Sequence, residues 1–287
     1  MFKRLLSLVL IIVISAGTAW YVGQRGEKAS ATAQDTLARV LETKTLRCGF
    51  VDYEPANFRD AKTNEMKGIL YEVAEEIGKE LGLKIEWVQA GGWATYISDL
   101  TDGKFDMFCG AAWAIQVPEM TRLMATVPVY YSAVSAWVRA DDSRFDSTLA
   151  NVNSPDVTIA ATDGSAPSII AAKRFPNAKI YSLPEMAAYA ANLLSVAEKK
   201  ADIGFVEAYF GAQYSVANPG TIKNITPDNP LQINPNVFEV RKGDHNLLSM
   251  VNMMLEVMHN NGRIDAIIAK YEPAPHTFWR RAPSFQR

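Results

Sequence analysis

The sequence predicts an α/β protein of two lobes, each a mostly parallel sheet flanked by helices. Three observations carry that expectation. After residue 36, short β-branched or aromatic runs alternate with runs of helical apolar spacing. This β-α cycle occurs twice, over stretches of similar length. The composition, 48% hydrophobic and 21% charged over 287 residues, is that of a globular chain and excludes disorder, collagen-like repeats and coiled coils. A formal charge of −2 leaves no basic footprint for nucleic acid.

The first residues stand outside this pattern. Lys3 and Arg4 precede an uncharged run from Leu5 to Gly23, densest over Leu8–Ile14. A basic start and an apolar run of about ten residues predict an export signal. Gly17 and Ala19 supply small residues for cleavage after Ala19. The run also reaches the about 17–25 residues that a membrane helix needs. Residues 1–23 therefore read as a cleaved signal peptide or a retained signal anchor, with Trp20 and Tyr21 at the outer interface. Residues 24–36 are small and polar, a linker.

The first cycle begins with a strand at Thr45–Val51. Ile69, Val73, Ile77 and Leu81 recur at helical spacing over Gly68–Leu81, and Gly82 follows as a C-cap. A strand at Lys84–Val88, a short helix at Trp93–Leu100 and a buried strand at Phe105–Cys109 complete it. Val127–Arg139 reads as a long strand and Ala140–Asn153 as a loop. The second cycle runs through strand Val157–Ala161, helix Ser168–Phe175, strand Ala178–Tyr181 and helix Pro184–Lys199, whose proline sits near the first turn. Strand Asp202–Val206 and helix Glu207–Val216 follow. Asn218–Asn236 is an irregular return. A strand at Val237–Arg241 and helices near His245–Asn260 and Arg263–Tyr271 close the chain. Crossings near Arg139 and Phe238 then join lobe 1, residues 37–138 with 237–287, to lobe 2, residues 139–236. The basic, aromatic tail after Glu272 is expected to pack.

The patterns of several catalytic classes are missing. No GxGxxG, phosphate loop, HExxH or GxSxG occurs, and the three histidines lie in the last fifth of the chain. Neither a metal, a cofactor nor an enzyme activity is expected. Aromatic residues instead gather after strands: Tyr53 and Phe58, Trp93, Trp113, then Tyr130 and Tyr131. Ligands of open α/β sheets bind beyond the carboxyl ends of strands, so rings there predict a concave, mostly apolar pocket; each ring alone serves equally as core. Glu207, between a strand and a helix, either meets a cationic ligand group or favours the helix dipole. The Asp163-Gly164-Ser165 turn either holds an anion on its N–H groups or caps a helix.

These residues resemble a family. "TLRCGFVDYEPANFRD", "MKGILYEVAEEIGKELGLKIEWV", "WATYISDLTDGKFDMFCGAAW", "KKADIGFVEA" and "VFEVRKGDHNLLSMVNMMLEVMHNNGRIDAIIAKYEP" stand in the order and spacing of the periplasmic solute-binding proteins of amino-acid ABC importers, family 3. The resemblance covers about Thr36 to Tyr271. It implies the two-lobed periplasmic-binding-protein (flytrap) fold with two hinge crossings, closing around a small solute and delivering it to a membrane permease of an ABC importer. It implies the periplasm or the outer face of the cytoplasmic membrane, with residues 5–23 a possible tether.

Carried over residue by residue, the resemblance puts Asp52 and Tyr53 in the first ligand loop and Trp93 where an aromatic stacks on ligand. Gly110, Ala111 and Trp113 fall on the strand-end segment, and Gly164, Ser165 and Ala166 on the turn that holds a carboxylate. Glu207 falls where an Asp receives the ligand ammonium. The family's carboxylate-binding arginine corresponds to Pro118 here. Arg122, four residues on, either replaces it or is a surface residue. Trp113 and Ala166 replace small hydroxyl residues. A small polar or cationic amino-acid-like solute is therefore expected, since aromatic faces attract cations. The alternatives are a cyclohexadienyl-dehydratase-like enzyme on the same fold, with Glu207 as the candidate acid or base, and a tethered ligand sensor. Cys48 and Cys109 fall on strands that this fold makes neighbours. Export permits a bridge; two buried thiols are the favoured reading, because a bridge between neighbouring strands strains its geometry.

Overall fold

One sheet runs through the whole molecule, and its strand order explains both cycles. The computed structural model describes residues 35–113, 121–146, 148–184, 189–275 and 277–281. The readings of residues 1–23 as signal or anchor, and of Pro118, lie outside the described residues, as does nearly all of the 24–36 linker. Among the described residues no helix is long and apolar enough to cross a membrane.

The chain enters through helix α1 (Thr36–Thr43), which the sequence reading does not anticipate. Asp35 caps it, its carboxylate accepting from the Leu37 N–H at 3.1 Å. Strand β1 (Thr45–Phe50), the small ribbon β2 (Phe58–Arg59) and β3 (Met66–Lys67), helix α2 (Ile69–Leu81) and β4 (Lys84–Gln89) follow. Ile69, Leu70, Val73 and Ile77 of α2 are fully buried, each contributing about 1.5–3 kcal/mol of apolar transfer. Gly82 ends the helix in the left-handed region as predicted. Gly68 starts it at φ 130°, where a side chain would be strained and a Cβ would collide with the Ala56 carbonyl. That close approach lets Pro55 and Ala56 accept from Ile69 N–H and Leu70 N–H, both at 2.9 Å, and pins the loop after β1 to the helix.

Helix α3 (Tyr96–Thr101), β5 (Met107–Trp113) and β6 (Leu123–Ala125) lead to the long strand β7 (Tyr130–Arg139). The third strand thus lies later than the predicted Phe105–Cys109, because pairing with β12 extends it to Trp113. Next come β8 (Thr158–Thr162), α4 (Ala166–Arg174), β9 (Lys179–Leu183), α5 (Ala190–Ala197), β10 (Ile203–Glu207), α6 (Ala208–Ala217) and β11 (Ile222–Asn224). The chain ends with β12 (Gln232–Arg241), α7 (His245–Asn260), α8 (Arg263–Tyr271) and β13 (Phe278–Trp279).

The main sheet order is β4-β1-β5-β12-β7-β10-β8-β9. β4, β1 and β5 form one parallel half, and β10, β8 and β9 the other. The ten-residue antiparallel strands β12 and β7 join them and belong to both. β7 pairs with β12 up to Val134 and with β10 from Val134 on. β12 changes partner from β7 to β5 at Asn236. Part of the return predicted as irregular, 232–236, is therefore strand. Separate cores lie under the halves, one around α2, α7 and α8 and another around β7, β8 and α4.

The tail packs back. β13 pairs with β7, and the buried Phe278 ring lies 5.3 Å from Tyr130 and 5.8 Å from Tyr209. The cysteines are bridged rather than free. Cys48 of β1 and Cys109 of β5 form a disulfide with their Cα atoms 5.5 Å apart, so the favoured reading of two thiols is corrected: the separation lies within the range a bridge needs.

Asp106, fully buried before β5, holds three segments together. It accepts from Arg47 N–H at 2.9 Å and from the Arg47 guanidinium at 2.7 Å, and it also pairs with Arg39 of α1. Burial pushes its carboxyl up, but the bonds from Arg47 and Arg39 outweigh that and hold it below its ordinary value. A carboxyl with a depressed folded pKa stabilises fully above its unfolded value, about 3.9, and loses that contribution as pH falls through the folded value. Asp106→Asn is expected to flatten the decline of the urea midpoint below pH 4; an unchanged acid limb would contradict this role.

Candidate functional site

The carboxyl ends of β1 and β10 face each other, and the side chains at those ends meet. Glu207 is the last residue of β10 and the N-cap of α6; it is 5% exposed. Tyr53, just past β1, donates its phenol to Oε2 of Glu207 at 2.5 Å. The Ser132 hydroxyl of β7 bonds the same carboxyl and accepts from Asn236 Nδ2 of β12 at 3.0 Å. Both crossing strands therefore support the group. Burial raises the Glu207 carboxyl above its ordinary value, only partly opposed by the bonds from Tyr53 and Ser132. No cationic side chain contributes to it among the described residues.

Rings surround Tyr53, the phenol bonded to this carboxyl. The Tyr53 ring stands edge to face with Trp93 at 5.9 Å, Phe210 at 5.8 Å and Tyr189 at 6.4 Å. Tyr189 stacks on Phe210 at 4.3 Å. Burial raises the phenols of Tyr53, Tyr130 and Tyr189, and the charge of Glu207 adds to each. Trp93, 44% exposed, is the open wall. A second tie runs alongside, where Tyr209 of α6 donates to Glu54 at 2.8 Å. The candidate site thus sets a buried carboxyl, with no cationic partner among the described residues, beside a cluster of aromatic rings.

Of the residues expected from the sequence, Tyr53, Trp93 and Glu207 come together. Asp52 stands at the rim, exposed and accepting from Gln89 Nε2 at 3.2 Å. Gly110 and Ala111 lie inside β5, and the Phe108 ring fills the space a Gly110 Cβ would take. Trp113, at the end of β5, packs on the core of the other half. Gly164 (φ 69°) and Ser165 form the turn into α4. The Ser165 hydroxyl is used locally, donating to Thr162 O at 2.5 Å and accepting from Ser168 N–H at 3.3 Å. Phe58 sits against Tyr271, away from the group.

Arg122 stands apart. It precedes β6, whose Leu123 pairs with Arg241, beside Val240 and its partner Met107. Met107 opens β5 and Trp113 ends it, so Arg122 lies at the opposite end of the sheet, roughly 20 Å from the group at about 3.3 Å per residue. Its guanidinium is exposed and donates to Thr101 at 3.0 Å.

Sequence reasoning passed over Ser132, Tyr189, Phe210 and Asn236. Phe210 carried a signal, since it lies three residues after Glu207 at the start of one helix. The others reach the group only through strand pairing and packing.

Comparison with known proteins adds four findings. The sequence model of the bacterial extracellular solute-binding proteins, family 3, matches residues 46–274. The L-cystine-binding protein TcyA of Bacillus subtilis (strain 168) is 30% identical over 107 residues, 37% of this chain and 40% of that relative, so the chain spans less than half of its length. An ancestral cationic amino acid solute-binding protein superposes with a TM-score of 0.70 at 28% identity, over 83% of this chain and 99% of that one. An ancestral cyclohexadienyl dehydratase superposes with a TM-score of 0.55 at 26% identity, over 82% and 95%.

Proposed function

The chain belongs to the bacterial extracellular solute-binding proteins, family 3, and from that premise we propose that it binds a small cationic, amino-acid-like solute between two lobes and delivers it to the membrane permease of an ABC importer. The family is extracytoplasmic. In this reading residues 1–23 serve export as signal or anchor. Lobe 1 comprises 37–138 with 237–287, lobe 2 comprises 139–236, and β7 and β12 are the hinge. One observation carries the reading: Glu207, buried without a counter-ion, faces Tyr53 and Trp93 from across the sheet. A solute ammonium in place of the Tyr53 phenol would neutralise that carboxyl and touch both lobes, which is what biases a hinge toward closure. The similarity to a cationic amino acid binder supports the same class. Asp52, Trp113 at the end of β5 and the Gly164–Ser165 turn are proposed as the rim that meets the rest of the solute, with Gly110 and Ala111 supporting it from within β5.

A thermal-shift screen of lysine, arginine, ornithine, cystine and simple amines tests it, because a ligand of the folded state raises apparent stability. At least one cationic compound is expected to stabilise. Trp93→Ala is expected to weaken that compound by about 0.5–2 kcal/mol, the range of a cation–ring contact, read by calorimetry. Equal affinity in both proteins would remove Trp93 from the pocket.

The same carboxyl favours a second reading, an enzyme on this fold. Burial holds Glu207 toward its protonated form, the state a general acid needs, and the similarity to an ancestral cyclohexadienyl dehydratase supports it. Turnover of a cyclohexadienyl compound, abolished by Glu207→Gln, would favour the enzyme; binding without turnover favours the solute-binding role.

A further inference from the structure

The charged side chains that meet around Tyr53 carry one sign. Asp52 and Glu54 flank it in the loop after β1, and both are exposed. Glu54 is also tied to the helix that Glu207 starts. Its Oε1 accepts from Tyr209, two residues after Glu207, at 2.8 Å and from Gln213 at 3.5 Å. Burial raises the Tyr209 phenol, and its bond to Glu54 and the charges of Glu54 and Glu207 add to that, so one phenol feels both carboxylates. Among the described residues, neither lysine nor arginine contributes to the shifts of Glu207, Tyr53, Tyr130, Tyr189 or Tyr209. The arginines of the crossing strands lie elsewhere. Arg139 stands beside the start of β10, whereas Glu207 ends that strand, and it pairs with Asp142 at 3.1 Å. Arg241 ends β12 and pairs with Asp244 at 3.1 Å. The sequence places no lysine or arginine in 114–120 or 185–188 either. Nor does the turn into α4 offer much to an anion. Asp163 N–H donates to Leu183 O at 2.8 Å, Ser165 N–H to Thr162 O at 3.2 Å and Ser168 N–H to Ser165 Oγ at 3.3 Å, and Pro167 has no N–H.

We infer that the solute of this site is an aliphatic diamine without a carboxylate: one ammonium meets Glu207, the alkyl chain lies against the rings of Tyr53 and Trp93, and the second ammonium meets Glu54 at the rim. The inference rests on the solute-binding reading above and narrows it to a substrate class. An amino acid of the same skeleton would bring a third kind of group, an anion, among Asp52, Glu54 and Glu207. Like charges set together without a cation between them reject a partner.

Calorimetry on the intact protein tests this with two matched pairs, 1,5-diaminopentane against lysine and 1,4-diaminobutane against ornithine. Within each pair only the carboxylate differs. The diamine is expected to bind tighter by about tenfold or more, the effect of removing a like charge from the contact. Pentylamine, with a single ammonium, is expected to bind about three- to fivefold more weakly than 1,5-diaminopentane, the range of an exposed ion pair. Glu54→Gln, at an exposed position, keeps an acceptor for Tyr209 and should erase that preference; a ratio of two ligands on one protein does not report a general loss of structure. Equal or tighter binding of the amino acid in either pair, or a preference over pentylamine that survives Glu54→Gln, would overturn the inference and leave the solute-binding reading standing. Failure of all five compounds to bind would overturn the cationic reading of Glu207 itself, and the inference with it.

Discussion

Glu207→Gln is expected to raise the urea midpoint of the unliganded protein at pH 7 while weakening a cationic solute roughly thirtyfold or more. The two effects share one cause. Burial raises the folded pKa of Glu207, so the folded state binds this proton more tightly than the unfolded chain does. Stability is then highest below the unfolded value, about 4.3 for Glu, and falls as pH rises toward the folded pKa. Above it the full cost of a buried, unpaired charge remains. Glutamine keeps an acceptor for the Tyr53 phenol and for Ser132 but carries no charge, so the cost disappears. The same change removes the counter-ion of the proposed solute. Truncating one partner of a buried charge pair costs about 2–5 kcal/mol; even the lower figure is roughly thirtyfold in affinity. Chemical denaturation across pH 4–8 and calorimetry with a solute from the screen measure both. A variant less stable than the parent at pH 7, binding equally well, would sink this account of Glu207.

The paired change Cys48→Ala and Cys109→Ala is expected to cost about 4 kcal/mol, from the loop entropy that a bridge across a 61-residue separation removes from the unfolded chain. Replacing both cysteines avoids a lone reactive thiol. The loss should extend to the ligand loop. Asn57 donates to the Cys109 carbonyl at 2.7 Å, and Asn57 and Tyr53 are themselves joined, Tyr53 N–H to Asn57 O at 2.6 Å. Loosened β1–β5 pairing therefore reaches Tyr53 through two hydrogen bonds. Urea unfolding of parent and variant gives the difference directly. A loss under 1 kcal/mol would mean that the bridge constrains little that the strands do not already hold.

Much of the fold was visible in the sequence because its causes are local. Ile69, Val73 and Ile77 lie on one face of a helix by spacing alone, and Gly82 ends it by its own backbone freedom. The alternation of strand and helix predicted two mostly parallel α/β cycles, and the sheet has two parallel halves, joined through the antiparallel strands β7 and β12. The terminal helix Thr36–Thr43 was passed over because its stabilisation is remote: Thr36 bonds Asp244 and Arg39 reaches Asp106, both far along the chain. The extension of the third strand to Trp113 has the same kind of cause, a partner more than 100 residues away.

The site divides along the same line. Position at a strand end marked Tyr53, Trp93 and Glu207 as candidates, and the structure brings these three together. What joins Tyr53 to Glu207, 154 residues apart, is the way β7 and β12 carry one half-sheet onto the other, and no local pattern encodes that. The placement of Arg122 at the far end of the sheet, the bridge between Cys48 and Cys109, and the arrival of Ser132, Tyr189 and Phe210 around the carboxyl were likewise decided by tertiary structure. Spacing and composition determine which face of an element is buried; which distant faces then meet depends on strand pairing and packing over the whole chain.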